Sequence, residues 1–234
     1  MDEFQMPAIG IVHSPFKEKF GLPRQPGLID FVCEIEMFPP YNSIEAFVGL
    51  EEFSHIWVSF VFHQAKQDSF TPMVRPPRLG GNQKKGVFAT RSPFRPSSLG
   101  LSVVRLENIL RSGNSVVLQV NGLDVVDLTP VVDIKPYIPY ADCIEQAKGG
   151  FAGQSPQATL TVEFSDALQT MLKTLDDDYL TLIKQVIALD PRPAYKQNTD
   201  GEYGMLLGDY NLRWSVFGDN AVIFSLTEKV ASPV

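Results

Sequence analysis

The sequence predicts a mainly β protein with a small α+β portion at its C-terminal end. Three observations carry that expectation. Short runs rich in β-branched and aromatic residues recur through the first 145 or so residues. Gly, Pro, Asn or Ser bounds each run. Helical spacing becomes frequent only beyond a Gly- and Ser-rich stretch, "AKGGFAGQSPQ", at Ala147–Gln157.

In chain order, "AIGIV" at Ala8–Val12 and "VCEIEMF" at Val32–Phe38 read as strands. "SIEAFVGLEEF" opens with a Ser and predicts a short helix over Ser43–Glu51. "HIWVSFVFH" at His55–His63 alternates apolar with polar or aromatic residues, so it is a strand that places both histidines on one face. "GVFAT" from Gly86, "LSVVRL" from Leu101 and "SVVLQV" from Ser115 complete the β set. Regularly spaced strands of this kind close into a barrel or pack as a sandwich. Beyond the linker, "SDALQTMLKTL" and "DDDYLTLIKQVIAL" have helical spacing, with Ser165 and Asp176–Asp178 suited to N-terminal capping. "DPRPAY" then breaks the helix, and "YNLRWSVFG" with "AVIFSLTE" forms a hairpin over "GDN". The expected organisation is a β domain over 1–146, a linker over 147–157 and a small α+β domain over 158–234.

Composition excludes several classes. Hydrophobic residues make up 44% and aromatics 11%, enough for a packed core and contrary to disorder. No run of about 18 apolar residues is present to form a membrane-spanning helix. The acidic start "MDEFQMPAIG" lacks the features of a secretory signal, so a cytoplasmic location is expected. Cys33 and Cys143 are widely separated and read as buried thiols. His13, His55 and His63 have no metal-site spacing, so no metal is expected. A net charge of −7 opposes indiscriminate binding to polyanions. Yet Met73–Arg111 holds eight basic residues and one acid, Glu107, which points to a local anionic ligand or to a solvated face.

Five irregular polar stretches are poorly explained by folding alone: "PRQPG", "RPPRLGGN", "ATRSPFRPSSLGLS", "NGLDVVDLTPVVDIKPY" and "DPRPAY". Pro limits the freedom of each loop, and Gly admits close backbone approach. Asp124, Asp127 and Asp133 fall within ten residues, so one can supply a general base or bind a hydroxyl; capping of turns competes with that reading. His63 with Gln64 at a strand end is the better placed histidine for function. The glycine motifs of dinucleotide and P-loop sites are absent, as is the serine-hydrolase elbow.

"IGIVHSPFKEKFGLPRQPG", "FSHIWVSFVFHQ", "RPPRLGGN", "GVFATRSPFRPSSLGLS", "LDVVDLTPVVDIKPY" and "DPRPAY" together closely resemble the TsaA-like family of TrmO tRNA methyltransferases, in order and over almost the whole chain. The resemblance implies a β-barrel that is neither a Rossmann nor a knotted methyltransferase fold. It implies S-adenosylmethionine as donor, N6-threonylcarbamoyladenosine at tRNA position 37 as acceptor, and a homodimer with the donor near the subunit interface. Carried over by motif, the donor site comprises Pro23, Arg24, Gln25, His63, Gln64, Arg91, Leu101, Asn121, Gly122, Leu123 and Asp124. Arg75, Arg78, Lys84, Lys85 and Arg95 are expected on tRNA phosphates, and Asp190, Arg192 and Tyr195 on tRNA or in interdomain support. Asp133 or Asp127 is the candidate base, with Lys135 and Tyr137 positioning the substrate. Where the family often has "RPNPIG" this chain has "RPSSLG", with Ser97 and Ser98 in place of Asn and Pro. Two other readings compete: a non-catalytic module that holds adenosylmethionine or a nucleotide, and a barrel that only binds RNA.

Overall fold

A computed structural model describes residues 4–65, 69–113, 115–193, 196–197 and 199–229. Six antiparallel strands close into a barrel: β1 (Gly10–His13), β2 (Val32–Met37), β3 (His55–Val61), β6 (Leu99–Ser112), β7 (Ser115–Asn121) and β8 (Pro130–Pro136), in the order β1-β2-β7-β6-β3-β8 with β8 returning to β1. Closure removes every free edge. The period-2 alternation sends Val12, Ile35, Ile56, Val58, Phe60, Leu118, Val120 and Val131 inward, all buried. A separate ribbon of β4 (Met73–Val74) and β5 (Lys85–Gly86) stands off the barrel.

The C-terminal part is a four-stranded sheet of β9 (Thr161–Phe164), β10 (Gly201–Leu207), β11 (Tyr210–Phe217) and β12 (Asn220–Glu228), ordered β10-β11-β12-β9 with β9 parallel to β12. Helices α1 (Pro139–Asp142) and α2 (Gln169–Leu172) are single turns; α3 (Asp177–Ala188) is the one long helix among the described residues. Asp176 caps α3, its Oδ1 accepting from Asp178 N at 2.8 Å. Leu182, Ile183, Val186 and Ile187 are the buried stripe of α3.

The 14–31 loop between β1 and β2 fastens the barrel to this sheet. Phe16 bridges Leu207, Gly208 N donates to Pro15 O, Leu206 N donates to Glu18 Oε1, and Asp30 N donates to Gln185 Oε1. Phe16 packs edge-on against Phe31, and Phe20 stacks on Trp214, so the apolar core runs unbroken through both parts.

Several sequence expectations are corrected. "GVFAT" is not a strand: pairing stops at Gly86, and a 3₁₀ turn follows over Val87–Ala89. Ser43–Glu51 is not an α-helix but two 3₁₀ turns, Ile44–Phe47 and Leu50–Glu52, separated by Gly49 at φ +86°. His63 lies past the end of β3 in a turn, so it does not share a strand face with His55. Cys143 is exposed, whereas Cys33 is buried and its thiol is pushed up to about 12 by desolvation. Ser165 precedes a helical turn as expected, yet its hydroxyl caps nothing and is buried without a partner. The stretch expected to be irregular after Asn121 contains β8, and β9 and β10 were not anticipated.

Candidate active site

The barrel mouth is built where the 14–31 loop meets the end of β7 and the start of β6. Gly122 follows β7 at φ +75°; its carbonyl accepts from Gly27 N at 3.0 Å and its N–H donates to Phe31 O at 2.9 Å. A Cβ on Gly122 would press on Gly27 N at 3.0 Å, so glycine is required both for backbone angle and for close approach. These contacts hold the "PRQPG" segment against the "NGLD" segment. Pro23 is buried, while Arg24 projects to solvent. Gln25 Nε2 turns back onto Arg24 O, and Gln25 Oε1 accepts from Arg91 Nη1 at 2.6 Å.

Asp124 sits beside this pair. Ser102 Oγ donates to Asp124 Oδ1 at 2.6 Å, from the inward face of β6. Burial pushes the Asp124 carboxyl above its ordinary value of 3.8, and the Ser102 bond and the Arg91 charge oppose that without cancelling it. The mouth thus holds a desolvated carboxylate and an exposed guanidinium whose fields overlap. Such a pair suits a small ligand with an anionic and a cationic end.

Other anticipated donor residues divide. Lys19 Nζ donates to Gln64 O at 2.7 Å, and burial together with the Lys19 charge lowers the pKa of His63, which favours its neutral form beside the same loop. Leu101 projects outward and is 53% exposed. Leu123, by contrast, is fully buried in the apolar core. Asn121 gives its amide to the exposed Asp30. Ser98 has φ +50°, a conformation closed to Pro, whose ring fixes φ near −65°. The "RPSSLG" turn therefore has its own geometry.

Of the candidate bases, Asp133 lies on β8 opposite Ser59, and Ser59 lies opposite Leu101. The three share the barrel's outer face, with Asp133 two strand spacings (~10 Å) from Leu101. Lys135 pairs with Asp133, and Tyr137 packs near Trp57 at 6.0 Å between ring centroids. Asp127 is elsewhere: it accepts from Lys17 Nζ at 2.8 Å and from Ser14 N at 2.9 Å, which fixes the start of the 14–31 loop. It serves as an anchor and does not join the outer-face group.

Arg75, Arg78 and Lys84 are exposed and Lys85 half-buried on the β4–β5 ribbon, while Arg95 turns inward to Thr90 O at 3.1 Å. Asp190 and Arg192 are only 4% and 2% exposed, so direct tRNA contact is corrected to a structural role. Arg192 Nε and Nη2 bind the two Asp190 oxygens at 2.7 and 2.9 Å, and its remaining donors reach Thr199 O and Gln197 O. The guanidinium also lies over Tyr203. Tyr195 lies outside the described residues. No group of three or more His, Cys, Asp or Glu is placed to hold a metal among the described residues.

Sequence reasoning missed Ser102 and Lys19. Ser102 was legible as the inward position next to Leu101 in "LGLS"; Lys19 had no local signal, because its partner is 45 residues away.

The chain matches the tRNA-methyltransferase O N-terminal domain over residues 11–143 and the TrmO C-terminal domain over residues 157–229. It is 47% identical over 232 residues to the tRNA (adenine(37)-N6)-methyltransferase of Escherichia coli K12, covering 97% of this chain and 99% of that protein. A putative S-adenosylmethionine-dependent methyltransferase of Pseudomonas aeruginosa is 44% identical over 212 residues, covering 88% and 90%. The crystal structure of TrmO from Pseudomonas aeruginosa superposes with a TM-score of 0.77 at 35% identity, over 97% of this chain and 99% of that one.

Proposed function

The chain belongs to the tRNA-methyltransferase O family, and from that premise we propose that it methylates N6 of adenosine 37 in tRNA, using S-adenosylmethionine, with N6-threonylcarbamoyladenosine as the preferred acceptor. The observation that carries this reading is the opposed pair in the barrel mouth, desolvated Asp124 beside Arg91. Their chemistry fits a zwitterionic amino acid joined to a nucleoside: Arg24 or Arg91 would hold the carboxylate, and Asp124 the ammonium or the ribose hydroxyls. When bound, adenosylmethionine supplies an electrophilic methyl group on a sulfonium. Leu101, which projects outward, would cover the adenine from the subunit contact, and His63, whose neutral form is favoured, adds little competing positive charge.

An acylated N6 is a poor nucleophile until its proton leaves. Asp133 would serve as the base for the N6 proton as that nitrogen takes the methyl group and the donor leaves as the neutral thioether, with Lys135 and Tyr137 placed to orient the acceptor. Arg75, Arg78, Lys84 and Lys85 meet the phosphates of the anticodon arm. The barrel domain (1–146) carries the chemistry, and the C-terminal domain (158–234) braces the 14–31 loop. Two copies pair as a homodimer through the outer face of β3, β6 and β8 and its neighbour α1; exposed Leu101, Tyr140 and Ile144 favour such a contact. A tRNA acceptor favours a cytoplasmic location.

The test is incubation of purified protein and methyl-labelled adenosylmethionine with two tRNA pools, one threonylcarbamoylated at adenosine 37 and one not. Label is expected in the modified pool only. No label in either pool, with donor binding intact, would instead favour the non-catalytic module.

A further inference from the structure

At the base of the β4–β5 ribbon two aromatic rings stand in solvent. Phe88 is 73% and Phe70 55% exposed; their centroids are 6.4 Å apart and their planes inclined by 28°. The backbone beneath Phe88 is well fixed. Val87 is buried, its N–H donates to Pro72 O at 2.9 Å, Thr90 N returns to Val87 O, and Met73 pairs with Gly86. Phe88 is thus held in water by an ordered turn with the Phe70 ring stacked beside it, and exposed rings contribute little to folding.

The surroundings say what covers them. The ribbon carries Arg75, Arg78, Lys84 and Lys85, none with an ion-pair partner among the described residues. From Ser69 to Leu106 the sequence has seven basic residues and no acidic one. On the other side, Phe88 is three residues from Arg91, at most about 11 Å of chain. Along the chain, Phe88 therefore stands between the cationic ribbon and the Arg91 side of the mouth that contains Asp124. A polyanion that also presents flat π faces satisfies both features together, as single-stranded nucleic acid does.

We infer that Phe70 and Phe88 are a stacking platform for an unpaired base flanking the methylated nucleotide, so that the RNA strand runs from the cationic tip, over the rings, into the barrel mouth. This rests on the tRNA reading above, and it adds a site that turns phosphate attraction into a defined register.

The test uses an anticodon stem-loop RNA with 2-aminopurine next to the target adenosine, titrated without methyl transfer. Wild-type protein should quench the fluorophore on binding. Phe88→Ala and Phe70→Ala should each weaken binding about ten-fold and abolish the quench. Phe88→Trp should retain both. Donor affinity by calorimetry should match wild type, which shows that the variants fold. Arg78→Ala should flatten the salt dependence of binding, whereas Phe88→Ala should leave that slope unchanged. RNA affinity within two-fold of wild type and a retained quench in Phe88→Ala would overturn the inference. So would a Phe88→Ala protein that loses its dimer, or its binding to anionic vesicles, while RNA affinity holds. Wild-type protein that binds RNA in this way yet methylates neither tRNA pool would refute the proposed function and leave the platform standing.

Discussion

Ser102 Oγ donates a 2.6 Å hydrogen bond to Asp124 Oδ1, tying the start of β6 to the segment that follows β7. The bond aims a carboxyl group that burial has pushed above its ordinary range. A carboxylate that binds a cationic ligand end must be ionised, and here ionisation is completed at a higher pH than for a free aspartate.

Donor affinity should therefore rise with pH through a window beginning above 3.8, the ordinary aspartate value, and level off once Asp124 is ionised. Ser102→Ala removes a bond that favours the ionised form, so its window should move to still higher pH. Calorimetric titrations across pH in both proteins check the direction. In the absence of donor the sign reverses: a raised carboxyl pKa contributes stability at low pH that is lost as pH climbs through the folded value.

Asp133→Asn should lower kcat by about 10²- to 10⁴-fold with little change in donor affinity, as expected for loss of a general base. Asp127→Asn should leave turnover of the folded enzyme close to wild type and cost about 1 kcal/mol in stability, through the weakened Lys17 contact. Single-turnover rates at saturating donor, with chemical denaturation alongside, separate the two.

Arg192→Ala strands a buried Asp190 carboxylate and frees two backbone carbonyls. The expected loss is about 3–5 kcal/mol, or roughly 10 °C in Tm. The salt dependence of RNA binding at low temperature should not change, because the guanidinium has no access to phosphate.

Gly100 lies beneath the ring of Phe60, and a Cβ there would fall inside its van der Waals envelope. Phe60 is itself buried and cannot swing aside. Gly100→Ala should cost about 1–3 kcal/mol, and adding Phe60→Leu should recover part of it. Thermal melts of the two single variants and the double variant measure the coupling.

The barrel was legible because its strands announce themselves locally: Val12, Ile35, Val58 and Leu118 sit on the alternating positions that pleating sends inward. β10 escaped because "GEYGMLL" holds two glycines and buries little beyond Met205 and Leu207. β9 escaped because the strand it pairs with, β12, is parallel and some sixty residues distant. At the site, Arg91 and Gln25 could be nominated by motif, but their contact spans 66 residues, and no local pattern encodes it. Arg192 misled for a related reason. An arginine in a Pro-rich loop reads as a surface cation until Asp190, two residues away, is found holding it inside.

The Asp124–Arg91 mouth is the proposed seat of the methyl donor. Calorimetric titration of S-adenosylmethionine into wild type, Asp124→Asn and Arg91→Ala at a pH where Asp124 is ionised tests it most directly. Measurable binding by wild type is expected, and at least ten-fold weaker binding by each variant, with folding intact. Wild-type affinity in both variants would place the donor elsewhere and contradict it.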